Sequence, residues 1–233
     1  MFFFDLSYIL WVMVPGLLIG LWAQARVKAA YAEAEQFVSR AGYSGAELAD
    51  RILRGAGIAD VEIEPTQGFL TDHYHPMLKA LRLSEAHFHG RSLAAVGIAA
   101  HEAGHAIQHA QGYLPLQLRS ALVPVCQVGQ WIGQAAMMLG LVLWFTGVGQ
   151  TVLLIAILGY AAVFAFTLVT LPVEFDASRR ALAVLGERGY LAADELPVVR
   201  RVLSAAALTY VANAVQVLLV LLYLVSQYQR RNG

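Results

Sequence analysis

"QTVLLIAILGYAAVFAFTLVTL", residues 150–171, decides the fold class. It runs 22 residues without Asp, Glu, Lys or Arg, and about 20 apolar residues suffice to cross a bilayer. Working outward, three further runs have the same character, at about 6–24, 120–146 and 205–226. The first ends near a small-residue "AQA" at 23–25, as signal peptides do, but it lacks a basic start and is too long, so it reads as an anchor. The whole chain is 58% hydrophobic and 14% charged, against about 45–50% and about 25% in soluble domains. The expected architecture is mainly α: a polytopic helical membrane protein with about four transmembrane helices, residues 1–233 forming one domain.

The short Gly-bearing "TGVG" at 146–149 makes the second and third runs a tight hairpin. Segments 25–119 and 172–204 then lie on one side of the bilayer. Fourteen of the 16 Lys and Arg fall in those two segments, which places that side in the cytoplasm of a multi-pass cell-membrane protein. A net charge of zero and the lack of any basic run exclude nucleic acid as a partner. The single cysteine, Cys126, excludes an intrachain disulfide and a cysteine zinc site; inside its apolar run it reads as a packing residue.

Segment 25–119 is the larger extramembrane part, a small α+β region. "RVKAAYAEAEQFVSRAG" continues the first span as an amphipathic helix ending at Gly42. Ser44 and Glu47 form a capping box that opens a helix to about Leu53. "DVEIEP" and "MLKALRLS" read as short strands, and Ser92 as the N-cap of an alanine-rich helix reaching Gly112.

That last helix carries "HEAGH" at 101–105. Residues four apart lie on one helical face, about 6 Å apart along the axis, so His101 and His105 can aim imidazole nitrogens at one ion. Glu102 sits about 100° around the helix, placed to reach a water rather than the ion. This is the H-E-x-x-H arrangement of zinc peptidases, with Zn2+ as the favoured metal. Gly104 costs helix stability but permits close backbone approach. His109 extends the spacing, yet lies about 12 Å along the axis from His101, too far to share an ion bound at about 2 Å. The surrounding Ala, Gly and Ile imply burial, and burying two His and a Glu without a partner is costly.

A catalytic zinc site needs a third protein ligand. Glu174 stands in "LPVEFDASRRA" just after the third span, where a charged residue beside an apolar run is otherwise expensive. It is assigned as the third ligand, with Asp176 as the alternative; Glu174 shares a helical face with Ser178, and Asp176 does not.

At this point "DHY" (72–74), "LRLS" (81–84), "AAHEAGHAIQ" (99–108), "LVTLPVEFDASRRA" (168–181) and "LSAAALTYVA" (203–212) together resemble the YugP-like bacterial membrane zinc metallopeptidases over nearly the whole chain. The resemblance implies a zinc-dependent membrane peptidase with its active site facing the cytoplasm. More distantly the chain is similar to HtpX-like and CAAX-prenyl membrane peptidases, whose E-x-x-x-D pattern puts the ligand on Glu174 and replaces the supporting Asp by Ser178. The YugP-like pattern also has Asp where this chain has His75.

The implied activity is endopeptidase hydrolysis of a peptide or protein substrate by a metal-activated water, with Glu102 as general base. His73, Tyr74 and His75 are candidate oxyanion donors or locally satisfied loop residues. His87 and His89, on an expected strand or turn, read as structural or surface. Gln127, Gln130 and Gln134 recur at i, i+3 and i+7, and Asn213 shares their two readings: a hydrated substrate path, or interhelical hydrogen bonding, which needs less assumption. The rival function is a non-catalytic scaffold stabilised by zinc; Glu102 argues against it, since structural zinc needs no general base. Transport is disfavoured because the spans hold almost no ionisable residue.

Overall fold

The computed structural model describes residues 6–143 and 145–232. Trp144, inside the expected second span, lies outside the described residues. The chain is mostly helical: α1 (Leu6–Glu35, with a π-helical turn at Ile9–Met13), α2 (Gly45–Gly55), β1 (Glu62–Thr66), β2 (His73–His75), β3 (Ala80–Ser84), α3 (Glu85–His89), α4 (Leu93–Ala110), α5 (Leu114–Leu143), α6 (Gly149–Glu187) and α7 (Leu196–Asn232). Among the described residues, α1, α6 and α7 are long and apolar enough to cross a membrane. Helix α5 holds most of the expected second span in 30 residues that include Gln117, Gln127, Gln130 and Gln134.

The chain forms two compact units. One comprises the chain up to Ala23, Leu118–Leu171 and the chain from Thr209 onward. Its core joins Tyr8 and Val12 of α1 to Leu153 and Ala156 of α6 and to Val220 and Leu224 of α7. Tyr8 and Tyr223 meet edge to face at 5.0 Å, a geometry favoured by the ring quadrupoles.

The other unit, Gln24–Gln117 with Pro172–Leu208, carries a three-stranded sheet in the order β1-β3-β2. β3 pairs parallel with β1 and antiparallel with β2, so it is central, and Leu81 and Leu83 are wholly buried. α2 starts as the sequence predicts: Glu47 N donates to Ser44 Oγ at 3.2 Å and Ser44 N to Glu47 Oε2 at 2.8 Å, a cap worth about 1 kcal/mol. Leu48, Ile52 and Leu53 of α2 pack with Ala99, Ala103 and Ile107 of α4. Ser92 Oγ accepts from Ala95 N and opens α4.

Two local expectations are corrected. The helix expected to reach Gly42 ends at Glu35, because the following backbone pairs elsewhere. Leu93 N donates to Phe37 O at 2.8 Å, Ser39 N donates to Arg91 O at 2.9 Å, and Val38 bridges Ser92. His87 and His89 lie on the short helix α3 rather than on a strand or turn.

Candidate metal centre

α4 and α6 meet at Gly104. A Cβ added there would stand 2.6 Å from Ala177 O, so glycine alone permits this approach. Ala177 lies between Glu174 and Ser178 on α6, and the close contact brings both of them to the histidine face of α4. His101 Nε2 is 3.3 Å and His105 Nε2 3.6 Å from Glu174 Oε2, and the three donor atoms lie within 4.8 Å of one another. Two donors on a tetrahedral zinc with bonds of about 2.0–2.1 Å stand about 3.3 Å apart. The donor set therefore fits the ion. Glu174 and His105 are buried, and His101 is the most open of the three.

The other imidazole nitrogens are held from behind. Ser178 Oγ lies 3.1 Å from His101 Nδ1, and Gln108 Oε1 lies 3.0 Å from His105 Nδ1. With Nδ1–H donating to these oxygens, each Nε2 keeps its lone pair for a metal. Gln108, wholly buried, also donates through Nε2 to Val173 O and to Asp176 Oδ2, both at 2.9 Å. Asp176 is not brought to the donor cluster: its carboxylate is taken by Gln108, Arg180 and Arg179.

Glu102 is buried beside the cluster. Burial pushes its carboxyl up to about 7, with the charges of Glu174 and Asp72 adding to the rise and His101 opposing it. Its Oε2 accepts from the backbone N–H of Tyr74 at 2.9 Å, so β2 supports this carboxylate through its main chain. The Tyr74 hydroxyl reaches His109 Nδ1 at 2.8 Å, which gives His109 a partner away from the donor cluster. His73 and His75 are engaged locally: His73 Nδ1 lies 2.8 Å from Thr71 O, and Leu78 N donates to His75 Nδ1 at 3.2 Å.

A second buried network holds β2 in place. Asp72 accepts from Ser84 N at 2.8 Å and faces His87 Nδ1 at 2.8 Å; His87 Nε2 reaches the Tyr31 hydroxyl at 2.9 Å. Burial would raise the Asp72 carboxyl, but His87 and the backbone of Ser84 hold it below its ordinary value. Sequence reasoning missed Gln108, Asp72 and Tyr31 as supports, while His87, read as structural or surface, is a buried structural residue. The one available signal was the three-residue step from His105 to Gln108, which shares a helical face.

Two imidazoles and a carboxylate that could hold a metal ion converge beside a further buried carboxyl, in a chain with membrane-length helices. The chain belongs to the family described as "Putative neutral zinc metallopeptidase", which matches residues 9–229. It is 42% identical over 205 residues to the "Putative membrane protease YugP" of Bacillus subtilis (strain 168), a match covering 88% of this chain and 89% of that protein. No solved structure matches the chain. The family implies Zn2+ as cofactor and a membrane protease as the class.

Proposed function

We propose that this chain is a zinc-dependent membrane endopeptidase whose active site faces the cytoplasm, with α5 as a fourth crossing beside α1, α6 and α7. The observation that carries the reading is the convergence of His101, His105 and Glu174 within 4.8 Å, with Glu102 at their side. His101, His105 and Glu174 would hold zinc. When bound, that ion polarises a peptide carbonyl and acidifies a water.

Glu102 takes the proton from the attacking water and returns it to the amine nitrogen as the C–N bond breaks. Tyr74 N–H holds the carboxylate in the required orientation, and burial that lifts its proton affinity toward 7 suits it to both transfers. Ser178 and Gln108 fix the imidazole tautomers. Ser178 also lines a 620 Å3 groove with Phe175, Leu182 and Leu203 and with Arg179 and Arg200, a mixed apolar and basic wall for a substrate segment. The cytoplasmic orientation rests on the 14 of 16 Lys and Arg in segments 25–119 and 172–204.

The test is proteolysis of an unfolded soluble protein by the purified, zinc-loaded chain, beside Glu102→Gln and a chelated sample. Cleavage by the native chain alone is the expected result. A folded sample that binds zinc and cleaves nothing would overturn the peptidase reading and favour the scaffold.

A further inference from the structure

The glutamine stripe of α5 borders a cavity. Gln127, Gln130 and Gln134 line a space of 330 Å3 together with Tyr160 and Thr167 of α6 and Asn213 of α7. Interhelical hydrogen bonding, the simpler expectation from the sequence, is not what the side chains do. Among the described residues, none of these four amides makes a hydrogen bond to a protein group, and all four are exposed. The hydroxyls in the cavity are already engaged: Thr167 donates to Phe164 O at 2.7 Å, and Tyr160 reaches Met137 Sδ at 3.8 Å.

The space has a fixed floor. A Cβ on Gly159 would stand 2.7 Å from Gly129 O, so small residues hold α5 and α6 in close contact there. No lining residue is charged, so the cavity offers no carboxylate or basic group to carry a proton or pair with a charged ligand. Unpartnered amides in a membrane-spanning bundle need water or a polar ligand that both donates and accepts. A peptide backbone is such a ligand. From Gln127 to Gln134 the stripe rises about 10 Å, the length of about three residues of extended chain.

We propose that this cavity binds a short unwound stretch of a membrane-embedded protein segment, its backbone hydrogen-bonded by Gln127, Gln130, Gln134 and Asn213. The inference rests on the peptidase reading and names its substrate class: proteins presented from within the bilayer.

Two experiments on the full-length, zinc-loaded protein in proteoliposomes test this. The first compares cleavage of a co-reconstituted single-span protein with cleavage of a soluble unfolded protein, for the native chain and for Gln130→Leu/Gln134→Leu. The ratio of the two kcat/KM values should fall about tenfold in the variant, through loss of about two hydrogen bonds. An unchanged ratio overturns the proposal. The second needs no turnover. Cys126, the only cysteine, lines the same cavity, so its alkylation by a membrane-permeant maleimide reports occupancy. In Glu102→Gln, a transmembrane peptide should slow that labelling severalfold, and the added leucines should abolish the protection. Labelling that the peptide does not slow shows a cavity filled by water alone and overturns the proposal. A native chain that cleaves neither substrate, while Cys126 is still protected, refutes the peptidase reading and leaves the peptide site standing.

Discussion

Gln108 Oε1 lies 3.0 Å from His105 Nδ1, while the same side chain's Nε2 donates to Asp176 on a different helix. One wholly buried amide thus supports the imidazole of a candidate metal ligand and ties α4 to α6. Partners of this kind contribute about 10–100-fold in metal affinity. Gln108→Leu should weaken zinc by about that factor; a competition titration against a chelator that returns the native affinity would sink the assignment.

The contact at Gly104 makes a steric prediction. Gly104→Ala places a methyl 2.6 Å from the Ala177 carbonyl, and the backbone of α6 must retreat. The shift should cost about 1–3 kcal/mol of stability and carry Glu174 away from both histidines. Thermal unfolding and zinc stoichiometry measure the two effects separately. A variant of native stability that binds zinc normally would show that the helices tolerate the extra atom.

Asp72 makes a prediction in pH. Its folded carboxyl lies below its ordinary value, so the stability it contributes is fully present above the unfolded pKa of about 3.9. That stability is lost as pH falls through the lower, folded value. Asp72→Asn should therefore destabilise by about 2 kcal/mol at pH 7, the worth of a hydrogen bond to a charged group. The gap between native and variant should close only below about pH 4. Melting curves of both proteins across that range decide it, and a gap that closes near pH 6 would implicate a different group.

Histidine position ought to grade the response to substitution. Glu174→Ala removes one of three converging donors and should abolish tight zinc binding. His109→Ala removes a ring whose partner is the Tyr74 hydroxyl and should leave zinc affinity within about twofold, well under the tenfold that corresponds to 1.4 kcal/mol. Parallel zinc titrations of the two variants compare them directly, and equal losses would put His109 among the ligands.

Helix periodicity and hydropathy are local properties, and what depended on them was readable from the residues. The four-residue step of His101 and His105, the capping box of Ser44 and Glu47, and the uncharged run 150–171 each constrain only their own element. Glu174 was reachable because a carboxylate abutting an apolar run is expensive unless it has a task. The place where α1 stops was not readable, since Glu35 is the last helical residue only because Phe37 and Ser39 bond to the backbone around Arg91 and Leu93. The same limit hid the supports of the site. Asp72, His87 and Tyr31 are far apart in sequence, and no spacing rule relates them.

The sequence by itself determined that long apolar helices dominate this chain and that two histidines and a glutamate share one helix at metal-binding spacing. The tertiary structure alone decided how closely α6 brings Glu174 and Ser178 to those histidines, that Gln108 supports one of the rings, and that the glutamines of α5 border an open cavity. The physical reason is that periodicity assigns a side chain to a face of its own helix, whereas a partner on another helix depends on how closely the two backbones approach. Here the absence of one Cβ, at Gly104, sets that distance.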